Sequence, residues 1–362
     1  MLNPSEFRDL VSGRQRGFRA TCLRLVLAGA ELPYFLAVFW RNRRYDRKPG
    51  LTRKVGVPVV SVGNLTLGGT GKTPMVAWIA RHLRELGVRV TLISRGYGAE
   101  AGTLNDEAIE LERKLPDVPH LQDPDRIAAA AIAIEELGCQ MILLDDAFQH
   151  RRIRRDLDIV LIDALEPFGF GHVFPRGTLR EPLSGLRRAH AVALTRADMI
   201  DREQRDAIRQ QVARLAPHAP WAEVIHAPEE LLAFNGKTED VDQLRGAPVA
   251  AFCGIGNPAG FRHTLKVCGY DVVAMKEFPD HHRYERDDIE QLAQWAEQSG
   301  ANAVVCTAKD LVKIGLERLG SHPLHALTIG MKFLEGQQQL EAQLAVVAQS
   351  IAGDTTITSQ PQ

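Results

Sequence analysis

The densest concentration of chemistry in the chain is Thr66-Leu67-Gly68-Gly69-Thr70-Gly71-Lys72-Thr73. Glycines so placed let several backbone N–H groups converge on phosphate oxygens, and a helix starting at the lysine aims its positive end at the same point. Lys72 has the reach and charge for the β- and γ-phosphates of a nucleotide, and the Thr73 hydroxyl is a hard oxygen ligand suited to Mg²⁺. All eight residues are therefore nucleotide-binding candidates. The strict form of such a loop begins with Gly, and this chain has Thr66. The competing reading is a glycine-rich turn beside a surface lysine. The flanking elements argue against it. Val57-Pro58-Val59-Val60-Ser61-Val62 reads as a buried parallel strand, and Pro74 suits the first turn of a helix, where its missing N–H costs nothing.

A nucleotide loop needs a metal-facing carboxylate, and one is supplied downstream. The apolar run Gln140 to Leu144 reads as a strand that ends in Asp145-Asp146. A carboxylate at such a strand end faces the Mg²⁺ of a nucleotide held by the loop. Adjacent side chains point in different directions, so one aspartate serves the metal and the other anchors the turn.

Other strand ends carry polar groups whose roles stay open on sequence alone. Val88 to Ile93 is a strand followed by Ser94-Arg95-Gly96-Tyr97-Gly98. The carboxyl ends of strands are where open α/β sheets place ligands, so Arg95 and Tyr97 are either substrate contacts or a polar turn. Asn105-Asp106-Glu107 precedes a helical stretch, and by spacing alone is a helix cap. Thr195-Arg196-Ala197-Asp198 has the outline of a base-reading turn of GTPases, with arginine in place of lysine, or is a plain strand-end turn. Further on, Gly254-Ile255-Gly256 reads as a tight turn. Asp280-His281 is either a histidine oriented by a carboxylate or a polar strand end.

Composition bounds the class. Apolar residues make up 45% and charged residues 25% of 362, as in a soluble globular protein. The five cysteines are odd in number and none is at CxxC spacing, which favours a reducing compartment over a disulfide framework or a zinc site. The net charge of −1 hides an asymmetry: residues 1–54 carry twelve Lys/Arg against four Asp/Glu. Within that basic segment, residues 18–40 are apolar but interrupted by Arg24, Glu31 and Pro33, so the uninterrupted runs are short for a span of roughly 20 residues. Trp40 and Tyr45 have the amphipathic rings favoured at a lipid interface. The segment reads as an interfacial helix or helix pair on an anionic leaflet, or else as a helix packed on the core with a solvated basic face.

The order of these pieces resembles the tetraacyldisaccharide 4′-kinase family, the lipid A kinases of Gram-negative envelope synthesis. The matching segments are Ser61 to Pro74, Ser94 to Gly98, Asp106-Glu107, Asp145 to His150, Leu179-Arg180-Glu181, Gly254 to Pro258, Asp280-His281 and Thr307 to Asp310. Together they cover nearly the whole chain, and in this family the loop itself carries Thr where the strict pattern has Gly. Two departures stand out: Asn105-Asp106-Glu107-Ala108 where the family usually has Gly-Asp-Glu-Pro, and Thr307-Ala308-Lys309-Asp310 where it has Thr-Glu-Lys-Asp.

The resemblance implies an ATP- and Mg²⁺-dependent kinase acting on the 4′-hydroxyl of tetraacyldisaccharide 1-phosphate. It implies Asp106 as general base paired with His281, and Lys72 on the phosphates. Thr73, Asp145, Asp146 and Glu107 would be metal-side residues, and Arg95, Tyr97 and Glu181 would lie near the acceptor sugar. Partners would be the lipid disaccharide and an anionic membrane surface, at the cytoplasmic face of a bacterial inner membrane. No nucleic acid is expected, and the chain would act as a monomer. His281 lies in the second half, so domain closure would be needed to complete the site.

The expected fold is α/β: a P-loop NTPase-type parallel sheet domain with a second, smaller α/β domain and an N-terminal membrane-associating helix. The expected boundaries are 1–45 for the helix segment, 46–226 for the kinase domain, 227–245 for a linker, 246–352 for the C-terminal domain and 353–362 for a frayed tail. Two rivals remain. One is a P-loop GTPase or metallochaperone. The other is a membrane-associated ATPase scaffold of the partition type, which would carry a lysine where Leu67 stands.

Overall fold

The computed structural model describes residues 4–96, 106–280 and 282–355. The chain divides into two compact units, one reaching Ile225 and resuming at Phe333, the other spanning His226–Lys332.

In the first unit α1 (Pro4–Val11) and α2 (Phe18–Arg47) precede a parallel α/β array: β1 (Val59–Asn64), α3 (Lys72–Glu85), β2 (Val90–Ser94), α4 (Asp106–Lys114), β3 (His120–Gln122), α5 (Arg126–Glu135), β4 (Met141–Asp145), β5 (Leu157–Asp163), β6 (Ala191–Thr195), α6 (Arg202–Leu215) and β7 (Trp221–Leu232). The strands stand in the order β3-β2-β4-β1-β5-β6-β7, and every pairing along it is parallel. β1, β2 and β4 are buried along their whole length, as their mostly β-branched and aliphatic residues suit strands covered on both faces. β4 inserts beside β1 with Val62 opposite Asp145. That register sets the glycine loop leaving β1 next to the acidic end of β4, at the switch in strand order where such sheets bind ligands.

The second unit contains the distal part of β7, β8 (Thr238–Glu239), β9 (Pro248–Cys253), α7 (Pro258–Val267), β10 (Asp271–Glu277), α8 (Arg286–Ser299), β11 (Ala303–Thr307), α9 (Ala308–Ile314), β12 (Arg318–Leu319) and most of β13 (His322–Glu335). Its parallel strands run β10-β9-β11-β13, over a core that includes Phe252, Leu292, Val304 and Leu324. The buried Asp310 gathers three chain segments here: Gly254 N–H, the Tyr284 hydroxyl and the Thr307 hydroxyl all donate to its carboxylate.

Three expectations change. Residues 227–245 are not a bare linker: they hold the end of β7, β8 and a 3-10 turn at Val241–Leu244. The chain after Phe333 returns to the first unit as α10 (Gln337–Thr355), which packs on α3 and β5 and takes in the start of the segment read as a tail. The apolar N-terminal segment is one continuous 30-residue helix through Pro33, long and apolar enough by length and composition to cross a membrane.

The inner side of α2 buries Ala20 and Val38, packs Phe35 on the core and adds polar anchors. Tyr34 Oη donates to Arg180 O (2.9 Å), Asn42 Nδ2 to Glu181 Oε2 (2.8 Å), and Glu31 Oε1 accepts from Val173 N (3.3 Å). Its outward side is apolar, with Leu25, Val26, Leu32, Leu36, Phe39 and Trp40 all exposed. An outward side this apolar is unlike the usual polar outer face of a helix on a soluble domain.

Candidate functional site

β1 delivers the chain into the glycine loop through Gly63, where a Cβ would lie 2.6 Å from Phe148 Cβ, so only glycine fits. The loop's first half is pinned to the segment around Leu179: Leu67 N donates to Thr178 O and Arg180 N to Leu65 O, each at 2.7 Å. Asn64 Nδ2 donates to the Thr70 hydroxyl inside the loop (3.0 Å, buried). Gly71 takes a left-handed conformation (φ 79°) as the N-cap of α3, which lets the chain turn into the helix with Lys72 and Thr73 in its first turn. Pro74 occupies that same turn, as its sequence position suggests.

Lys72 is only 9% exposed, with Nζ 3.7 Å from Asp146 Oδ1. Arg180 Nη1 donates to both oxygens of Asp146, at 2.8 and 2.9 Å. Asp146 sits at φ 48°, a left-handed conformation that aspartate tolerates better than most residues. Burial raises its carboxyl's proton affinity, but Lys72, Arg180 and Arg126 outweigh that and hold it below the usual range. The buried Arg126 donates to the backbone oxygens of Asp145 and Asp146, at 3.3 and 3.1 Å, and so fixes the turn itself. The Asp145 side chain is buried at the end of β4, beside the loop.

Glu181 is 0% exposed. Its carboxylate accepts from Arg188 Nη2 (2.8 and 2.9 Å), Asn42 Nδ2 (2.8 Å) and Gln149 Nε2 (3.1 Å). Gln149 Nε2 also donates to Asn64 O at 2.8 Å. Glu181, read in the sequence as a group near the acceptor sugar, ties α2, the turn after β4 and the start of the glycine loop together.

Of the other sequence candidates, Arg95 is exposed at the carboxyl end of β2, near enough to Arg126 to add a little to the lowering of the latter's proton affinity by burial. The backbone of Asp106 and Glu107 opens α4, while their side chains, like Tyr97 and His281, lie outside the described residues. Thr66 is buried and paired with Leu179. Three contributors were not singled out from sequence: Arg126, Arg180 and Arg188. Arg196, in the turn compared with a base-reading motif, pairs with Asp163 and donates to Gly69 O (2.8 Å), so it braces the glycine loop from behind. Only Arg180 carried a signal, as the neighbour of Glu181 in a matched segment.

A parallel sheet with a glycine loop, a Lys-Thr pair at the following helix and an acidic strand end alongside defines a P-loop nucleotide-binding protein. The family described as Tetraacyldisaccharide-1-P 4'-kinase matches residues 23–349, and the chain belongs to that family. It is 40% identical over 337 residues to tetraacyldisaccharide 4'-kinase of Anaeromyxobacter dehalogenans (strain 2CP-C), covering 87% of this chain and 88% of that one. To the enzyme of the same name from Syntrophus aciditrophicus (strain SB) it is 38% identical over 346 residues, covering 88% and 90%. Among solved structures it resembles LpxK from Aquifex aeolicus in complex with ATP, with a TM-score of 0.69 and 29% identity over 90% of this chain and 99% of that one.

Proposed function

We propose that the chain transfers the γ-phosphoryl group of ATP to the 4′-hydroxyl of a tetraacyldisaccharide 1-phosphate, working as a monomer seated on the cytoplasmic face of an inner membrane. The observation that carries this reading is the cluster on the glycine loop. Lys72 and Arg180 converge on Asp146, two cations held beside a phosphate cradle by one carboxylate. Phosphoryl transfer asks of a protein mainly positioning and charge neutralisation, which this cluster supplies. In the reaction the bond from Pγ to the ADP oxygen breaks, the bond to the acceptor oxygen forms, and the hydroxyl proton goes to a base.

The donor set fits Mg²⁺. Thr73 in the first turn of α3 and Asp145 at the end of the neighbouring strand offer a hydroxyl and a carboxylate, the hard oxygens this ion takes alongside phosphate and water. Bound there, Mg²⁺ would offset charge on the phosphates. Asp146 is already committed to Lys72 and Arg180, so the two carboxylates divide the work: Asp145 toward the metal, Asp146 organising the cations. Asp106 remains the proposed base, with His281 as its partner and Glu107 on the metal side. These roles, and those of Arg95 and Tyr97 toward the acceptor, rest on the resemblance to the family.

The membrane reading is supported by α2. Its polar anchors hold it along the domain, its apolar side faces outward, and exposed arginines 14, 16, 19, 41, 43, 44 and 47 flank it. A helix bound along its length to a soluble domain lies in the interface rather than crossing it. The test is transfer of labelled γ-phosphate from ATP to tetraacyldisaccharide 1-phosphate in detergent micelles with Mg²⁺. Transfer by the wild type and severe loss in Lys72→Ala and Asp106→Ala are expected. ATP or GTP hydrolysis without transfer by the wild type would overturn the proposal.

A further inference from the structure

The short helix α1 lies outside the residues matched by the family, yet it reaches the glycine loop. Gly68 adopts φ 108°, and a Cβ there would collide with the Arg8 guanidinium. The guanidinium therefore rests directly on the loop, at a position kept bare of side chain. Arg8 Nε also lies 3.8 Å from Glu166 Oε1, in the segment after β5. Burial raises the proton affinity of Glu166, and the charge of Arg8 opposes that rise.

The placement of Arg8 is built rather than incidental. Leu10 is fully buried, and the Phe7 ring stands 6.0 Å from Phe174, which in turn contacts Tyr34 of α2 at 5.7 Å. Arg24 of α2 donates to Gln15 O (2.9 Å) and Leu10 O (3.5 Å), capping the exit from α1. α1 is thus fastened both to the helix with the exposed apolar face and to the body of the unit.

We propose that Arg8 is a catalytic arginine supplied in cis, donating hydrogen bonds to the oxygens of the transferring phosphoryl group. This rests on the phosphotransferase reading above. The third position of the glycine loop lies against the phosphates that the loop's N–H groups cradle, with Lys72 reaching the β/γ pair. A planar guanidinium there offers paired donors to phosphate oxygens, and such arginines act on charge that builds up as the phosphoryl group departs. Arg8 transfers no atom. Because α1 is fixed to α2, its guanidinium is in place only when the N-terminal helices are seated.

The experiment measures kcat and KM for ATP in the transfer assay for the wild type, Arg8→Ala, Arg8→Lys and Glu166→Gln, with a melting temperature for each. Arg8→Ala is expected to lower kcat by about 10²–10³-fold with KM for ATP within about threefold, somewhat below the full range for arginines of this kind because Lys72 and Arg180 remain. Arg8→Lys is expected to recover less than a tenth of the loss, since an ammonium lacks the paired geometry. Glu166→Gln removes the ion pair but keeps the guanidinium, and is expected to stay within about threefold of the wild type. Arg8→Ala retaining more than a third of the wild-type kcat would overturn the proposal. So would Glu166→Gln losing as much as Arg8→Ala, because Arg8 would then serve only to tie α1 down. If Arg8→Ala does not fold, Arg8→Lys decides: wild-type kcat in that variant overturns the proposal. Absence of transfer by the wild type would sink the phosphotransferase reading instead, a separate result.

Discussion

Glu181→Gln separates a positioning role from contact with substrate. In the wild type four hydrogen bonds converge on a fully buried carboxylate, two of them from Arg188, whose guanidinium also stacks 4.5 Å over Phe148. The amide keeps the size of the side chain but turns one acceptor oxygen into a donor. It then faces Asn42, Gln149 or Arg188 with a donor, and it leaves the half-buried guanidinium without its counter-charge. Hydrogen bonds to a charged group are worth about 1.5–3 kcal/mol each, and breaking a buried pair costs about 3–5 kcal/mol. Arg188 keeps some solvent contact (19% for its side chain), which lowers the expectation to about 2–4 kcal/mol. In a unit of this size that is a melting temperature lower by roughly 4–16 °C. The KM for lipid acceptor should rise no more than kcat falls. Asn42→Ala and the double variant complete a cycle, and a coupling of about 1 kcal/mol or more is expected between residues bonded this directly. A Glu181→Gln protein that melts with the wild type but shows an acceptor KM ten times higher would refute the reasoning and restore Glu181 to the substrate.

Two further outcomes are expected. Burial pushes the proton affinity of His120 and His150 down to about 4, helped at His150 by Arg126, Arg152 and Arg155. Both are neutral in the fold but protonate near 6.5 when unfolded, so their stabilisation is complete above about pH 6.5 and is lost as pH falls toward 4, by up to roughly 3 kcal/mol at His120 and by less at His150, where solvent screens the charge. Urea midpoints measured between pH 7.5 and 4.5 should fall accordingly, and His150→Asn should flatten the slope; an unchanged slope in that variant would count against the assignment. On α2, Leu32→Glu with Leu36→Glu alters two exposed side chains that touch no core. Each leucine withdrawn from lipid forfeits about 1.5–3 kcal/mol, so affinity for anionic vesicles should fall by about 100-fold or more while the melting temperature holds. Undiminished flotation with vesicles would remove α2 from the interface.

Elements whose physics is local were readable in advance. β1, β4 and β11 are short buried runs with turn residues at both ends, and their extents agree with the apolar pattern to within a residue or two. β13 was less visible. In its 14 residues Pro323 and the polar positions His322, His325 and Lys332 break the apolar pattern. α10 begins with three glutamines and no capping residue, so its start carried no signal, and its place against α3 is a tertiary fact. The supposed linker looked polar because the exposed turn joining the antiparallel β7 and β8 carries its polar residues.

The site divides along a similar line, and the glycine loop explains why. A loop that turns its N–H groups inward to hold phosphate turns several carbonyl groups outward. Those carbonyls need donors, because a buried carbonyl left unpaired is costly. Here Asn64 O is met by Gln149, Leu65 O by the backbone of Arg180 and Gly69 O by Arg196. The inward face is encoded in consecutive residues and shows itself as a motif. The outward face is satisfied from 85 and 127 residues away, by side chains that look in sequence like an ordinary glutamine and a misplaced base-reading arginine. Arg196 is the sharper case. Its turn resembled a nucleotide-reading motif because both uses require a cationic residue at a strand end next to the loop. Only the direction of the guanidinium, toward Asp163 and Gly69 O, separates bracing the cradle from reading a base. Side-chain direction at a strand end is set by the elements packed around it, and no local pattern records it.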